Sequence, residues 1–117
     1  MTRFDRDKRL LTAHQFKRVF QRSRRFQDQL LMLRVRYSRE TQPRLGLAIS
    51  KKHARLAVQR NRIKRQVREV FRTNYDALAA GDYVILNRPA AATASRQALS
   101  ESVAALLKQA AKTKSPQ

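Results

Sequence analysis

The sequence predicts a small α+β domain whose elements follow the order αββαβα and form a two-layer sandwich around a small mixed sheet. Apolar residues recur with the helical period of about 3.6 in three segments. Alternating or continuous apolar runs of strand length occupy three others. Because one predicted helix stands between two strands, the chain also contains a strand–helix–strand (βαβ) crossover, with helices covering the sheet.

The first predicted helix covers residues 12–22. Thr12 carries a hydroxyl suited to an N-cap, and Phe16, Val19 and Phe20 recur on one face. The arginine-rich segment that follows, residues 23–28, is predicted to be a basic loop.

Two strands are predicted next. Residues 30–37 alternate, with apolar side chains on one face and Arg34 and Arg36 on the other. Residues 45–50 form a shorter apolar run. The proline-containing turn at residues 41–43 predicts that these two strands pair antiparallel.

The second half of the sequence contains the other two predicted helices and the third predicted strand. A basic helix is predicted to start between residues 53 and 58 and to end near residue 75. Residues 83–87 form a continuous apolar run typical of a strand, and Ser95 can cap a last helix. We expect one domain over residues 1–117, ordered from about residue 8 to 109 and frayed at its ends.

Charge and composition narrow the range of possible functions. The chain has 27 Lys and Arg residues against 8 Asp and Glu residues, a net charge of +19 in 117 residues, so we expect a polyanionic partner. The hydrophobic fraction of 42% argues against a disordered basic tail. The absence of cysteine excludes a disulfide framework and a thiol nucleophile. Neither a membrane span nor a signal peptide is evident, so a cytoplasmic location is expected.

The predicted central helix concentrates the positive charge. Its apolar residues fall on one stripe: Ile63, Val67, Val70 and Phe71. A broad arc beside that stripe carries Arg60, Asn61, Lys64, Arg65, Arg68 and Arg72. Solvated surface helices usually pair acids with bases, whereas Glu69 is the one acid between residues 51 and 72. The pattern favours a nucleic-acid partner, RNA in particular, over a solvated surface helix.

Phe16 and Phe20 allow two interpretations. Their spacing is that of any core helix, but Lys17, Arg18 and Arg22 border them. Aromatic rings among cations suit single-stranded nucleic acid, whose bases stack while its backbone charge is neutralised. A split role, with one ring edge in the core and the other lining a groove, is a third possibility.

Catalysis by the protein itself is not expected. His14 and His53 belong to different predicted elements, and the eight acids are scattered without a cluster suited to a two-metal nuclease. With two glycines in the chain, there is also no glycine-rich phosphate loop. We therefore expect no catalytic residues and no metal ligands in this chain.

The central motif closely resembles the signature of the bacterial ribonuclease P protein subunit family. The matching stretches are residues 50–52, Ser-Lys-Lys, and residues 57–72, Ala-Val-Gln-Arg-Asn-Arg-Ile-Lys-Arg-Gln-Val-Arg-Glu-Val-Phe-Arg. Shorter matches occur in the family's order at residues 9–10, 16–20, 44–47, 82–85 and at Arg88. The likeness covers about residues 8–107.

This resemblance implies an accessory subunit of a tRNA-processing endoribonuclease. Its partners would be ribonuclease P RNA and precursor tRNA, with no membrane and no stable protein partner. RNA-borne Mg²⁺ would perform the hydrolysis that removes the 5′ leader. The family fold also has a left-handed βαβ crossover, against the usual right-handed preference.

The resemblance also implies residue roles. The residues expected to contact the catalytic RNA are Lys51, Lys52, Arg60, Asn61, Arg62, Lys64, Arg65 and Arg68. Those expected to hold the leader of precursor tRNA are Phe16, Phe20, Leu33 and Ser50.

Three other classes of protein share some of these features. A general RNA-binding or ribosomal-type protein would bind one RNA without serving tRNA processing. A helix-turn-helix DNA-binding protein is disfavoured because the basic helix follows a strand instead of a short partner helix. A free-standing ribonuclease would need a catalytic set that the sequence lacks.

Overall fold

The helices and strands follow one another in the order αβββαβα. The computed structural model describes residues 12–39 and 42–113. The elements are α1 (Ala13–Gln21), β1 (Arg24–Gln27), β2 (Leu31–Tyr37), β3 (Arg44–Ala48), α2 (Ala57–Thr73), β4 (Gly81–Asn87) and α3 (Arg96–Thr113), with two short 3-10 helices at Tyr75–Ala77 and Pro89–Thr93. The predicted α+β class is confirmed, with one strand more than expected.

A capping box starts α1. The Gln15 backbone N–H donates to Thr12 Oγ1 at 3.2 Å, and the Thr12 N–H donates to Gln15 Oε1 at 2.7 Å. Val19 is the buried residue of this helix. The predicted helix and its cap are confirmed.

The four strands form one mixed sheet in the order β1-β2-β4-β3. β2 pairs antiparallel with both β1 and β4, whereas β3 pairs parallel with β4. The helix α2 connects the two parallel strands, so the predicted mixed sheet and βαβ crossover are confirmed.

Two strand predictions are wrong. Residues 24–27, predicted to lie in a loop, form the edge strand β1, because the Asp28 side chain accepts hydrogen bonds from the Leu30 and Leu31 N–H groups at 2.9 Å and closes a tight turn into β2. β3 does not pair with β2 as predicted, because β4 lies between them. An edge strand exposes one side to water and therefore tolerates the arginines of β1.

Each face of the sheet is covered differently. Leu33, Val35, Tyr83 and Ile85 belong to the main core with residues of α2 and α3, so these two helices cover one face. Alternate residues of the same strands, such as Arg34 and Val84, point to the opposite face. There α1 is the covering helix, because Arg34 contacts Phe20 of that helix. Among residues 12–39 and 42–113, this one short helix leaves part of the second face open.

A buried ion pair attaches the edge strand β3 to the centre of the sheet. Arg44 donates to the Asp82 carboxylate through Nε at 2.8 Å and Nη2 at 3.2 Å. Asp82 is fully buried, so removal of Arg44 would leave an unpaired buried carboxylate.

A second polar cluster connects the β1–β2 turn to α3. Ser102 Oγ donates to Asp28 Oδ2 at 2.6 Å, and Arg88 Nη1 donates to the Asp28 carbonyl at 3.0 Å. Burial pushes the pKa of Asp28 upward, but the hydrogen bonds from Ser102 and the Leu31 and Leu30 amides, with the charge of Arg88, outweigh it and leave that pKa below its ordinary value.

The last helix continues past the predicted end of the ordered core. α3 extends to Thr113, and Ser95 Oγ accepts from the Ala98 N–H at 3.0 Å, as predicted for its cap. Residues 8–11 of the predicted core and the chain after residue 113 lie outside the described residues. Within the described part of the chain, every helix is too short or too polar to cross a membrane.

Gly81 generates a first prediction. Its φ is +151°, and a Cβ there would lie 2.6 Å from the Arg36 carbonyl oxygen of the neighbouring strand. Gly81→Ala is therefore expected to lower the free energy of unfolding by about 1–3 kcal/mol. Urea denaturation measures this loss, with exposed Ala105→Ser as the control. A loss equal to that of the control would show that β4 can start without a glycine.

Candidate nucleic-acid interface

The outer face of α2 is a stripe of positive charge. Ile63, Val67, Val70 and Phe71 are buried and dock this helix on the core. The side chains on the opposite side are exposed at positions i, i+4, i+7 and i+11, and they are Asn61, Arg65, Arg68 and Arg72. We call these four residues the arginine stripe. They project together from a helix that the core holds in place.

The cations beside the stripe are partly engaged within the protein. Arg60, Arg62 and Lys64 are half-buried. Arg60 Nη1 donates to the carbonyls of Ala54 at 3.0 Å and Arg55 at 2.9 Å, so this guanidinium holds the loop before α2. Sequence reasoning assigned Arg60 to RNA alone and missed this internal role.

Glu69 pairs with one arginine of the stripe, Arg72. Its carboxylate accepts from Arg72 Nη2 at 2.6 Å, and this hydrogen bond lowers the pKa of Glu69. Both side chains are exposed, and exposed pairs contribute little stability. Arg65 and Arg68 therefore remain the charged centre of the stripe.

On the other face of the sheet, α1 presents two stacked rings. The centroids of Phe16 and Phe20 are 6.3 Å apart at an interplanar angle of 18°. The Arg34 guanidinium carbon lies 5.6 Å from the Phe20 centroid, and Arg34 Nε donates to Ser23 Oγ at 2.9 Å. Phe20 is 40% exposed, whereas Val19 is fully buried and anchors the helix. The rings therefore lie at the border of a cleft. Val19 is the residue of α1 that packs in the core.

The open part of this face continues into a pocket of about 550 Å³. Its floor is one row of the sheet, Met32 beside Leu86 and Leu86 beside Ala48. Arg34 lies two residues from Met32 on the same face of β2, and it contacts Phe20. The rings and the floor of the pocket therefore lie side by side on one face of the sheet. We call this surface the aromatic cleft.

Leu33 does not belong to the aromatic cleft. It is fully buried in the main core, on the face that α2 and α3 cover. Residues 31, 33 and 35 share a face because side chains alternate along a strand, so Met32 and Arg34 point to the cleft instead. The assignment of Leu33 came from the resemblance and is corrected here. The alternation of β2, already visible in the sequence, was the signal that identifies Met32 and Arg34.

Ser50 lines the pocket and is held by Asn87. The Asn87 amide accepts from the Ser50 N–H at 2.8 Å and donates to the Ser50 carbonyl at 3.2 Å. Asn87 is itself buried, and no sequence pattern indicates this role. Lys51 and Lys52, which follow Ser50, are exposed, and Lys52 also lines the pocket.

The described histidines and acids do not cluster into a metal site. His14 is exposed on α1, and His53 lines the pocket beside Lys52. Across residues 12–39 and 42–113, no group of three or more His, Cys, Asp or Glu side chains could hold a metal ion. The described donor set therefore does not fit a protein-bound catalytic metal.

Comparisons with known proteins agree with this arrangement. A family model described as Ribonuclease P matches residues 4–111. The ribonuclease P protein component of Pseudomonas paraeruginosa is 51% identical over 86 residues, which cover 73% of this chain and 64% of that protein. The corresponding protein of Xanthomonas campestris is 46% identical over 108 residues, covering 92% and 72% respectively. The chain thus spans just under two thirds of the length of the Pseudomonas relative.

Solved structures show the same fold. The RNase P protein of Staphylococcus aureus superposes with a TM-score of 0.81 at 27% identity, over 88% of this chain and 94% of that one. The RNase P protein of Thermotoga maritima gives a TM-score of 0.74 at 27% identity, over 86% and 96%. A family match over nearly the whole chain, with identities near one half, establishes the relationship, and the chain belongs to the ribonuclease P protein family.

Proposed function

We propose that this chain is the protein subunit of ribonuclease P. It binds the catalytic RNA through α2 and holds the 5′ leader of precursor tRNA in the aromatic cleft while the RNA removes that leader. The observation that carries this proposal is the placement of two surfaces suited to RNA on opposite faces of one sheet. Two such surfaces suit a protein that contacts two RNAs, or two regions of one complex.

The arginine stripe suits a folded RNA. Arginine has a planar fork that can hold a phosphate through two hydrogen bonds. Arg65 and Arg68 stand on a helix fixed by four buried residues, so the backbone loses little conformational entropy when they meet RNA. Lys51, Lys52, Asn61, Arg62 and Lys64 extend the contact surface, and Arg60 supports it by holding the loop before α2.

The aromatic cleft suits a single strand of variable sequence. Stacking on Phe16 and Phe20 needs no particular base, and Arg34 adds positive charge beside the rings. Ser50, Met32 and Leu86 provide a mixed polar and apolar floor where the strand continues. A leader without a fixed sequence is best held in this way.

The hydrolysis itself is assigned to the RNA. Mg²⁺ would activate water and stabilise the departing oxygen, and the described side chains offer no site for it. This chain instead positions the substrate and neutralises backbone charge. A cytoplasmic location, together with catalytic RNA and precursor tRNA as the two partners, completes the proposal.

Reconstitution tests the proposal as a whole. At low Mg²⁺ concentration, the protein is expected to accelerate cleavage of leader-bearing precursor tRNA by its catalytic RNA, because it adds substrate affinity and charge neutralisation. Single-turnover cleavage with and without the protein measures the effect. No acceleration, together with equal affinity for unrelated structured RNAs, would indicate a general RNA-binding protein.

The arginine stripe gives a second expectation. Arg68→Ala should weaken binding to the catalytic RNA and reduce the slope of log K against log salt by about one, the signature of one lost phosphate contact. The control is Lys108→Ala, since Lys108 is an exposed cation on α3. Equal slopes for the two variants would place Arg68 away from phosphate.

The aromatic cleft gives a third expectation. Phe20→Ala should reduce affinity for leader-bearing precursor tRNA by roughly 1–3 kcal/mol, the cost of one lost stack, and leave mature tRNA unaffected. Phe20→Leu separates stacking from apolar contact. Equal losses for both tRNAs, with a lowered melting temperature, would instead assign Phe20 to the core.

A further inference from the structure

A second pocket opens at the start of α2, outside the aromatic cleft. Its volume is about 680 Å³, within the range typical of ligand sites. Leu56, Pro89 and Ala92 provide apolar surface, and Lys52 and Arg55 provide charge. We call it the α2 pocket. It shares Lys52, His53 and Pro89 with the pocket of the aromatic cleft.

Leu56 has no evident structural reason to be apolar. It occupies the N-cap position of α2, where an oxygen-bearing side chain is normally preferred because it can accept from the first helical N–H groups. It is 59% exposed and does not belong to the main core. Leucine at this position therefore provides no side-chain cap, although Gln59 Oε1 accepts from its backbone N–H at 3.1 Å, and it leaves apolar surface exposed in the α2 pocket.

The loop that carries Leu56 is held rigidly. Asn87 makes two hydrogen bonds to Ser50 at the start of the loop, and Ala54 is buried in the core. Arg60 then donates to the carbonyls of Ala54 and Arg55. The α2 pocket is thus shaped before any ligand arrives, which limits the entropy lost on binding.

The chemistry of the α2 pocket identifies its occupant. An apolar surface flanked by cations complements a nucleotide, whose base is flat and weakly polar and whose phosphates are anionic. None of the described residues that line it is acidic. Lys52, one of the cations proposed to contact the catalytic RNA, lines the α2 pocket. An RNA held by Lys52 therefore reaches the pocket.

We propose that the α2 pocket receives one unstacked nucleotide of the catalytic RNA, with its base against Leu56 and its flanking phosphates on Lys52 and Arg55. This rests on the proposed function and adds a base contact to a surface that otherwise recognises phosphate. It makes Leu56 a residue that selects an unpaired nucleotide at one position of the RNA.

Leu56→Ser tests the proposal, because serine removes the apolar contact and also improves the N-cap. Affinity for the catalytic RNA is expected to fall about 5- to 30-fold, the range of a modest base contact, while the melting temperature holds or rises. The salt slope should stay unchanged, whereas Arg55→Ala should reduce it by about one. Val58→Ser is the matched control, since Val58 is 61% exposed and is not among the residues that line the α2 pocket.

The probe is the organism's catalytic RNA transcribed in vitro, compared with a leader oligonucleotide alone. Unchanged RNA affinity in Leu56→Ser would overturn the proposal, as would a loss equal to that of Val58→Ser or one confined to the leader oligonucleotide. Failure of the wild-type protein to accelerate cleavage would refute the proposed function instead. A photo-reactive benzoylphenylalanine at position 56 should cross-link to one unpaired nucleotide, and cross-links scattered over helical RNA would also contradict the proposal.

Discussion

The central position of β4 is the constraint on which the rest of this structure depends. Its apolar run of Tyr83, Val84 and Ile85 is buried on both faces, so covering groups are needed on both sides of the sheet. The main core with α2 and α3 covers one side, and α1 covers part of the other. The two candidate RNA surfaces lie on opposite faces of the sheet because β4 is covered on both.

Positive charge sets a second constraint. With a net charge of +19, the domain must hold its cations apart from its core and apart from each other. Two acids serve as internal attachments: the buried Asp82 binds Arg44, and the half-buried Asp28 accepts from Ser102 and backbone amides. Because these acids are engaged inside the domain, they do not neutralise the arginine stripe, and Glu69 pairs with Arg72 of that stripe.

The segment between β3 and α2 connects the two surfaces. Asn87 holds its start at Ser50, and Arg60 holds its end at Ala54 and Arg55. Lys52 and His53 stand between the aromatic cleft and the α2 pocket and line both. A displacement of this segment would therefore alter both sites.

The sequence by itself determined whatever depends on local periodicity. The amphipathic faces of α1, α2 and α3, the Thr12 and Ser95 caps and the alternation of β2 could all be predicted, because each follows from neighbouring residues. The charge of α2 indicated one candidate surface, whereas the aromatic pair of α1 left core packing and a nucleic-acid groove as alternatives. Only the tertiary structure decided the pairing of β3 with β4, the strand at residues 24–27 and the internal role of Arg60, because each depends on a partner distant in sequence or on loop geometry. Leu33 depends on both the sequence and the tertiary structure. Its face follows from the period of β2, but which face is the core was decided by where α2 and α3 pack.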